Sequence, residues 1–301
     1  MIATRESPLA LWQAEFIKAA LMAAHDELEV TLLGMRTQGD RWLKSPLSEV
    51  GGKGLFIKEL EQALLEGRAD LAVHSMKDVP AHLGNEFALP VIAFRGDVRD
   101  ALVSRGGARL AELPPGARIG SASLRRQAQL RARRPDLEVA PIRGNVGTRL
   151  AKLDAGEYDA LVLASAGLER LRLTDRIAER LAVADSVPAA GQGALGIECL
   201  AGAKEVRELV GALHDPRVSA CVLAERAVSA GLGADCSSPL GAYAELSGEE
   251  LQLVAVLASV DGRRVLRARA SGTDPAAVGA EVVASLRSQG AMDILHSLDS
   301  R

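Results

Sequence analysis

The sequence predicts an α/β protein that ends in a smaller α+β portion. Two observations predict it. From residue 2 to about residue 170, short apolar runs alternate with segments of helical periodicity, the pattern of strand and helix units laid on largely parallel sheets. After about residue 215 the alternation stops, and one helical run, three strand-like runs and closing helices follow.

The elements follow in order. Ile2 to Thr4 reads as a short strand; Ser7 and Pro8 start a helix, with Leu9, Trp12, Phe16, Ala19 and Ala23 at helical spacing. Leu28, Val30 and Leu32 alternate with Glu29 and Thr31 as a strand does, and Phe56, Leu60, Ala63 and Leu64 mark a helix closed by Gly67. Strands are then expected at 69–73 and 87–94. Three strand and helix units come next: 118–120 into 124–134, 139–142 into 146–153, and 159–164 into a helix. The tail reads as a helix over 218–229, a glycine-rich loop, strands near 241–246, 251–258 and 264–270, then helices. No internal repeat stands out.

At 301 residues and 48% hydrophobic content, the chain can bury two or three cores. A net charge of -3 gives no electrostatic reason to expect nucleic acid or an anionic membrane, and 3% aromatic content is too little for a base-stacking surface. Arg5, Glu6, Glu15 and Lys18 interrupt the opening segment, so neither a signal peptide nor a membrane span is expected and the reading is cytoplasmic. Three cysteines without Cys-x-x-Cys spacing, and histidines without ligand spacing, point to neither a disulfide framework nor a metal site.

The chemistry is expected at Asp78. The segment Ala69-Asp-Leu-Ala-Val-His-Ser-Met-Lys-Asp-Val-Pro80 is an apolar strand that stops at a lysine, a carboxylate and a proline. Such a strand end faces the crevice where α/β folds bind ligands; an ionised carboxylate there, kept so by Lys77, stabilises a cation forming on a substrate. His74 reads as a general base or as a core or orienting histidine.

Arg125 and Arg126 follow Ile119-Gly-Ser-Ala-Ser123 and open a helix, so guanidiniums and helix amino end can meet a carboxylate or phosphate together; a solvated basic face is the alternative. The latter reading suits Arg131, Arg133 and Arg134 near the helix end. Arg143-Gly-Asn-Val-Gly-Thr-Arg149 repeats the arrangement, with Asn145 as the cap, and two such loops argue for a polyanionic ligand. Gly51-Gly-Lys-Gly54 lacks the spacing of a phosphate loop. Gly191-Gln-Gly193-Ala-Leu-Gly196 has dinucleotide-type glycines but is followed by a strand-like Ile197-Glu-Cys-Leu200, which fits a hinge better. Cys199 and Cys221 read as small core residues, whereas Cys236 stands in a loop that no core needs, open to covalent chemistry or an unremarkable loop thiol.

Together, Ile2-Ala-Thr-Arg-Glu-Ser-Pro-Leu-Ala-Leu-Trp-Gln13, Val50-Gly-Gly-Lys-Gly-Leu-Phe56, His74-Ser-Met-Lys-Asp-Val-Pro80, Ser123-Leu-Arg-Arg-Gln127, Arg143-Gly-Asn-Val-Gly-Thr-Arg149 and Cys236 resemble the porphobilinogen deaminase family, also called hydroxymethylbilane synthases. The resemblance runs in order over nearly the whole chain. It implies two lobes like those of periplasmic binding proteins around a cleft, plus a smaller α+β domain. The corresponding ranges are 1–93 with 194–211, 94–193, and 212–301.

It also implies a monomeric enzyme of tetrapyrrole biosynthesis that joins four porphobilinogen units head to tail with release of ammonia, then hydrolyses off linear hydroxymethylbilane. A dipyrromethane cofactor, held by a thioether to Cys236, primes the reaction, and Asp78 is the catalytic acid. Arg5, Ser7, Gln13, Lys53, Ser75, Lys77, Ser121, Ser123, Arg125, Arg126, Arg143, Asn145, Arg149 and Gln192 match positions that bind cofactor or substrate. Ser7 is a helix cap at the same time. Two departures stand out: Ser121-Ala122 before Ser123, and Asp235 beside the cysteine, a carboxylate that disfavours a thiolate. The rival from another class is a non-catalytic, two-lobed small-anion-binding protein.

Overall fold

The computed structural model describes residues 1–37 and 57–299. The chain divides into two compact units: Met1–Gly96 with Gly193–Ser219, and Asp97–Gln192 with Ala220–Arg301.

The first unit is built on a five-stranded sheet of β1 (Ile2–Arg5), β2 (Leu32–Met35), β3 (Leu71–Ser75), β4 (Phe87–Ala93) and β10 (Leu195–Leu200), in the order β2-β1-β3-β10-β4. β1 is parallel to β2 and β3, while β10 is antiparallel to both β3 and β4. Alternation along the strands divides the core. Ile2, Leu71, Val73 and Ile197 pack with Ala14, Ile17 and Leu21 of helix α1 (Pro8–Ala24), and Ala3 and Ala72 pack with Leu60 and Leu64 of helix α2 (Lys58–Leu65).

The second unit carries two sheets. One uses β5 (Asp100–Ser104), β6 (Arg118–Gly120), β7 (Glu138–Ala140), β8 (Ala160–Ala164) and β9 (Glu179–Arg180), in the order β7-β6-β8-β5-β9. Here β6 is parallel to β7 and β8, and β5 is antiparallel to β8 and β9. Helices α3 (Leu124–Arg133), α4 (Val146–Asp154) and α5 (Ser165–Arg170) belong to it. The other is an antiparallel meander of β11 (Leu240–Ser247), β12 (Glu250–Ala258) and β13 (Val265–Gly272). Helix α6 (Lys204–Gly211) lies in the first unit. Cys221, Ala224, Val228 and Leu232 of helix α7 (Pro216–Leu232) share the meander's core with Val278, Val282 and Leu286 of helix α8 (Pro275–Ser288) and with Ile294 of helix α9 (Ala291–Asp299).

The α/β class and the smaller α+β tail agree with expectation, with four corrections. The strand expected around Leu28 begins only at Leu32, because Glu27 takes a left-handed φ of 65° and β1 pairs from Ile2 to Leu32. The strand expected at 69–73 lies at 71–75 instead, because Asp70 N–H is used by Met1 O. The strand expected to reach Ile142 stops at Ala140, before Pro141, which has no N–H to give a ladder. The sheets are mixed: each five-stranded sheet contains antiparallel pairings, and β5 and β9 were not foreseen. The two five-stranded sheets share strand orientations and, with the crossing strands β10 and β5 set aside, the order β2-β1-β3-β4 and β7-β6-β8-β9, although the sequence shows no repeat.

Candidate active site

In the first unit the apolar strand β3 ends at Ser75 and the chain turns through Met76, Lys77 and Asp78, with Val79 N–H bonding back to Met76 O at 3.2 Å. Asp78 is exposed, and Met76 is buried beneath it. Arg5, Ser7, Gln13, His74, Ser75 and Asp78 line one pocket, walled by Leu9, Ala10, Ile57, Leu60 and Val73. The pocket thus opens at the carboxyl ends of β1 and β3, between the amino ends of α1 and α2, where strand-end side chains of α/β folds meet ligands.

Local bonds fix its lining. Ser7 caps α1, its hydroxyl accepting from Ala10 N–H at 3.3 Å. Gln13 is buried and donates through Nε2 to Ser75 Oγ at 2.8 Å, tying helix to strand end. On the other face of β3, His74 donates from Nε2 to Glu198 Oε2 of β10 at 2.7 Å, and both side chains are buried. Glu198 Oε1 has no hydrogen-bond partner. Burial raises the pKa of nearby Glu61, and the Glu198 carboxylate adds to the effect. His74, part of the pocket lining, is therefore tied to a buried carboxylate behind it.

The second unit contains the arginine loops. β6 ends at Gly120; buried Ser121 accepts Ser123 N–H on its hydroxyl at 3.3 Å, and Ser123 caps α3. Arg125 and Arg126 are 2% and 6% exposed, which excludes the solvated basic face. Both guanidiniums turn onto Asp100 at the start of β5. Arg125 Nη1 lies 2.8 Å from Asp100 Oδ2, and Arg126 Nε lies 2.8 Å from Oδ1. Arg125 Nη2, Ser186 Oγ and Gln192 Nε2 complete the carboxylate's partners at 3.1, 2.7 and 3.0 Å. Arg126 Nη2 also donates to Gln192 Oε1 at 3.1 Å. Burial alone pushes Asp100 upward; the two guanidiniums more than reverse this and hold it below the usual carboxylate range.

The next loop behaves as the spacing suggests. Asn145 Oδ1 accepts Thr148 N–H at 2.9 Å and caps α4, while Arg149 Nε donates to Gly144 O at 2.7 Å. Gly144 takes φ 112°, and a Cβ there would meet Thr148 at 2.8 Å. Arg143 is half-buried beside it. Gly191 and Gly193 both have positive φ, and β10 follows them where a dinucleotide site needs a helix. Lys53 and Gly51–Gly54 lie outside the described residues.

Cys199 and Cys221 are buried and Cys236 is exposed. Asp235 closes the turn that carries Cys236: its Oδ1 accepts from Ser237 N–H at 2.9 Å and from the hydroxyls of Ser237 and Ser238 at 2.6 and 3.3 Å. The carboxylate that departs from the family pattern is thus the acceptor of a local turn.

Sequence reasoning missed Asp100, Ser186, Glu198 and Arg170. Burial lowers the Arg170 pKa to about 10. Asp100 follows Val98 and Arg99 at the start of a strand that was itself not foreseen; only its alternation Ala101-Leu-Val103 was available as a signal. Among the described residues, no group of three or more His, Cys, Asp or Glu is placed to hold a metal ion, and no helix is long and apolar enough to cross a membrane.

Comparison with known proteins extends over nearly the whole chain. Residues 1–208 match the family model described as porphobilinogen deaminase, dipyromethane cofactor binding domain, and residues 219–288 match its C-terminal domain. The chain is 55% identical over 299 residues to porphobilinogen deaminase of Thiobacillus denitrificans, covering 99% of this chain and 98% of the relative. It is 55% identical to the protein of that name from Bordetella parapertussis, covering 99% and 95%, and 52% identical to that from Methylobacillus flagellatus, covering 99% and 97%.

Proposed function

The chain belongs to the porphobilinogen deaminase family, and on that premise we propose that it condenses four porphobilinogen units head to tail, releases ammonia from each, and hydrolyses the product to linear hydroxymethylbilane. The observation that carries the assignment of residues is the exposure of Cys236 beside the burial of Cys199 and Cys221. An exposed thiol on a short turn fits the attachment of dipyrromethane by a thioether. When bound, that group supplies the pyrrole carbon on which the first unit is joined.

This chain's own residues supply the rest. Loss of ammonia leaves porphobilinogen as an electron-poor azafulvene that becomes cationic on protonation. Asp78, exposed in its pocket, is suited to stabilise that cation. A carboxylate at about 4 Å with an effective dielectric near 20 contributes roughly 4 kcal/mol, about a thousandfold in rate if realised only in the transition state. Gln13, Ser75, Ser7 and Arg5 line the same pocket, and Lys77 precedes Asp78 in the chain; these polar and cationic groups orient the acetate and propionate arms of a pyrrole. Ser121, Ser123, Asn145, Arg143 and Arg149 offer strand-end hydroxyls and loop cations in the second unit, and Arg125, Arg126 and Gln192 a buried positive cluster. Lys53 belongs to the same proposal by its motif. Residues 212–301 act as a third domain, and the protein works as a cytoplasmic monomer.

The test is intact-mass measurement on purified protein before and after porphobilinogen is added. The expected mass exceeds the chain by one dipyrromethane and rises in pyrrole steps; Cys236→Ser carries no adduct, and Asp78→Asn stays folded with turnover lower by about a thousandfold. An adduct on Cys236→Ser would move the attachment elsewhere, and near-normal turnover in Asp78→Asn would assign the acid role to another residue.

A further inference from the structure

Asp100 is buried to 0% exposure and takes five side-chain hydrogen bonds, from Arg125 Nη1 and Nη2, Arg126 Nε, Ser186 Oγ and Gln192 Nε2. One carboxylate gathers two guanidiniums at the amino end of α3, where the helix dipole adds positive potential. The surroundings are rigid. Arg125 Nη1 also donates to Val187 O at 2.6 Å, and Gln129 holds Val187 from both sides, accepting its N–H at 2.8 Å and donating to its O at 3.1 Å. Arg125 Nε is buried without a hydrogen-bond partner.

We propose that Asp100 is a positioning residue for carboxylate binding: it turns Arg125 and Arg126 inward, so that the pair acts on ligand carboxylates as a fixed, buried positive charge rather than as a flexible surface clamp. This rests on the functional reading above and deepens it. Fixed charge lowers the ordering cost that long cationic side chains meet when they capture a ligand. Three positions carried over by family resemblance, Arg125, Arg126 and Gln192, thereby depend on one carboxylate that the resemblance did not supply.

The experiment uses the full, cofactor-loaded chain. Asp100→Asn keeps the volume and removes the charge; its KM for porphobilinogen is expected to rise about tenfold while kcat changes less than about threefold, since uniform binding is what is lost. Asp100→Ala leaves a carboxylate-sized gap facing two guanidiniums, and added formate is expected to raise its melting temperature and lower its KM while leaving the wild type unchanged. If both variants fail to fold, Ser186→Ala, which removes one donor from the carboxylate, is expected to raise KM by about twofold to threefold. A folded Asp100→Asn with wild-type KM, or an Asp100→Ala indifferent to formate, overturns the proposal. A wild-type protein that does not turn over porphobilinogen sinks the functional reading instead, and the formate melting arm then judges Asp100.

Discussion

The placement of Asp78 at an exposed strand end was legible because its surroundings are local: an apolar run, a stop, a carboxylate and a proline are all visible within a dozen residues. Asp100 was not, because its meaning lies in partners 25, 26, 86 and 92 residues away. For the same reason the arginine pair was read as an open anion clamp, and nothing nearby in sequence announced the internal carboxylate that the guanidiniums grip. The depressed pKa of Asp100 has a defined consequence for stability. A carboxylate whose folded pKa lies below its unfolded value stabilises the fold above the unfolded pKa, and that contribution is lost as pH falls toward the folded one. With an unfolded value near 3.9, the difference in unfolding free energy between wild type and Asp100→Asn should stay constant from about pH 5 to 9. Below about pH 4 it should shrink by roughly 1.4 kcal/mol per pH unit. Denaturant titrations at stepped pH measure this, and a gap already closing at pH 6 contradicts it.

The helices α1, α3 and α4 were legible element by element, two of them with their caps, Ser7 and Asn145; Ser123, the cap of α3, and helix α6 were not foreseen. The short strands β5 and β9 were hidden because each takes its place from pairing with distant partners, β5 with β8 and β9, rather than from its own pattern. Packing between helices was equally invisible. At Gly279 of α8, a Cβ would fall 2.4 Å from Ala227 Cβ of α7 and 3.1 Å from Ala224 O, whereas at Gly211 of α6 it would meet nothing within 4 Å. Two effects of Gly→Ala therefore compete, a helix-propensity gain of up to about 1 kcal/mol and an overpacking cost of about 1–3 kcal/mol. Gly279→Ala should destabilise and Gly211→Ala should be neutral or stabilising, as read from denaturant midpoints. Equal shifts of one sign would show that contact distance does not decide the outcome.

At the scale of the whole molecule, composition described only the average: a net charge of -3 conceals two buried guanidiniums gathered on one carboxylate. A covalently held anionic group stays on the chain in both states but meets those guanidiniums only in the folded one, and its contacts there stabilise the fold. Cofactor-loaded protein should therefore melt several degrees above Cys236→Ser, at roughly 2–4 °C per kcal/mol for a protein in this size range. Scanning calorimetry of the two proteins decides this, and coincident melting temperatures would mean that the group adds nothing to the folded state. The similarity of the two five-stranded sheets also belongs to this scale. It resides in the arrangement of strands and not in residues, so no sequence repeat announces it.

That shared order has an unequal effect on the two sheets as the chain leaves the ribosome. The sheet of the second unit draws its strands from residues 100–180, a contiguous stretch that can close as soon as it has emerged. The sheet of the first unit needs β10, residues 195–200, between β3 and β4, and among the described residues β4 pairs with no other strand. Until then β3 presents an open edge and β4 has no ladder to join. The part of the protein that is made first is therefore completed after the part that is made next, against the usual order in which N-terminal domains finish first during synthesis.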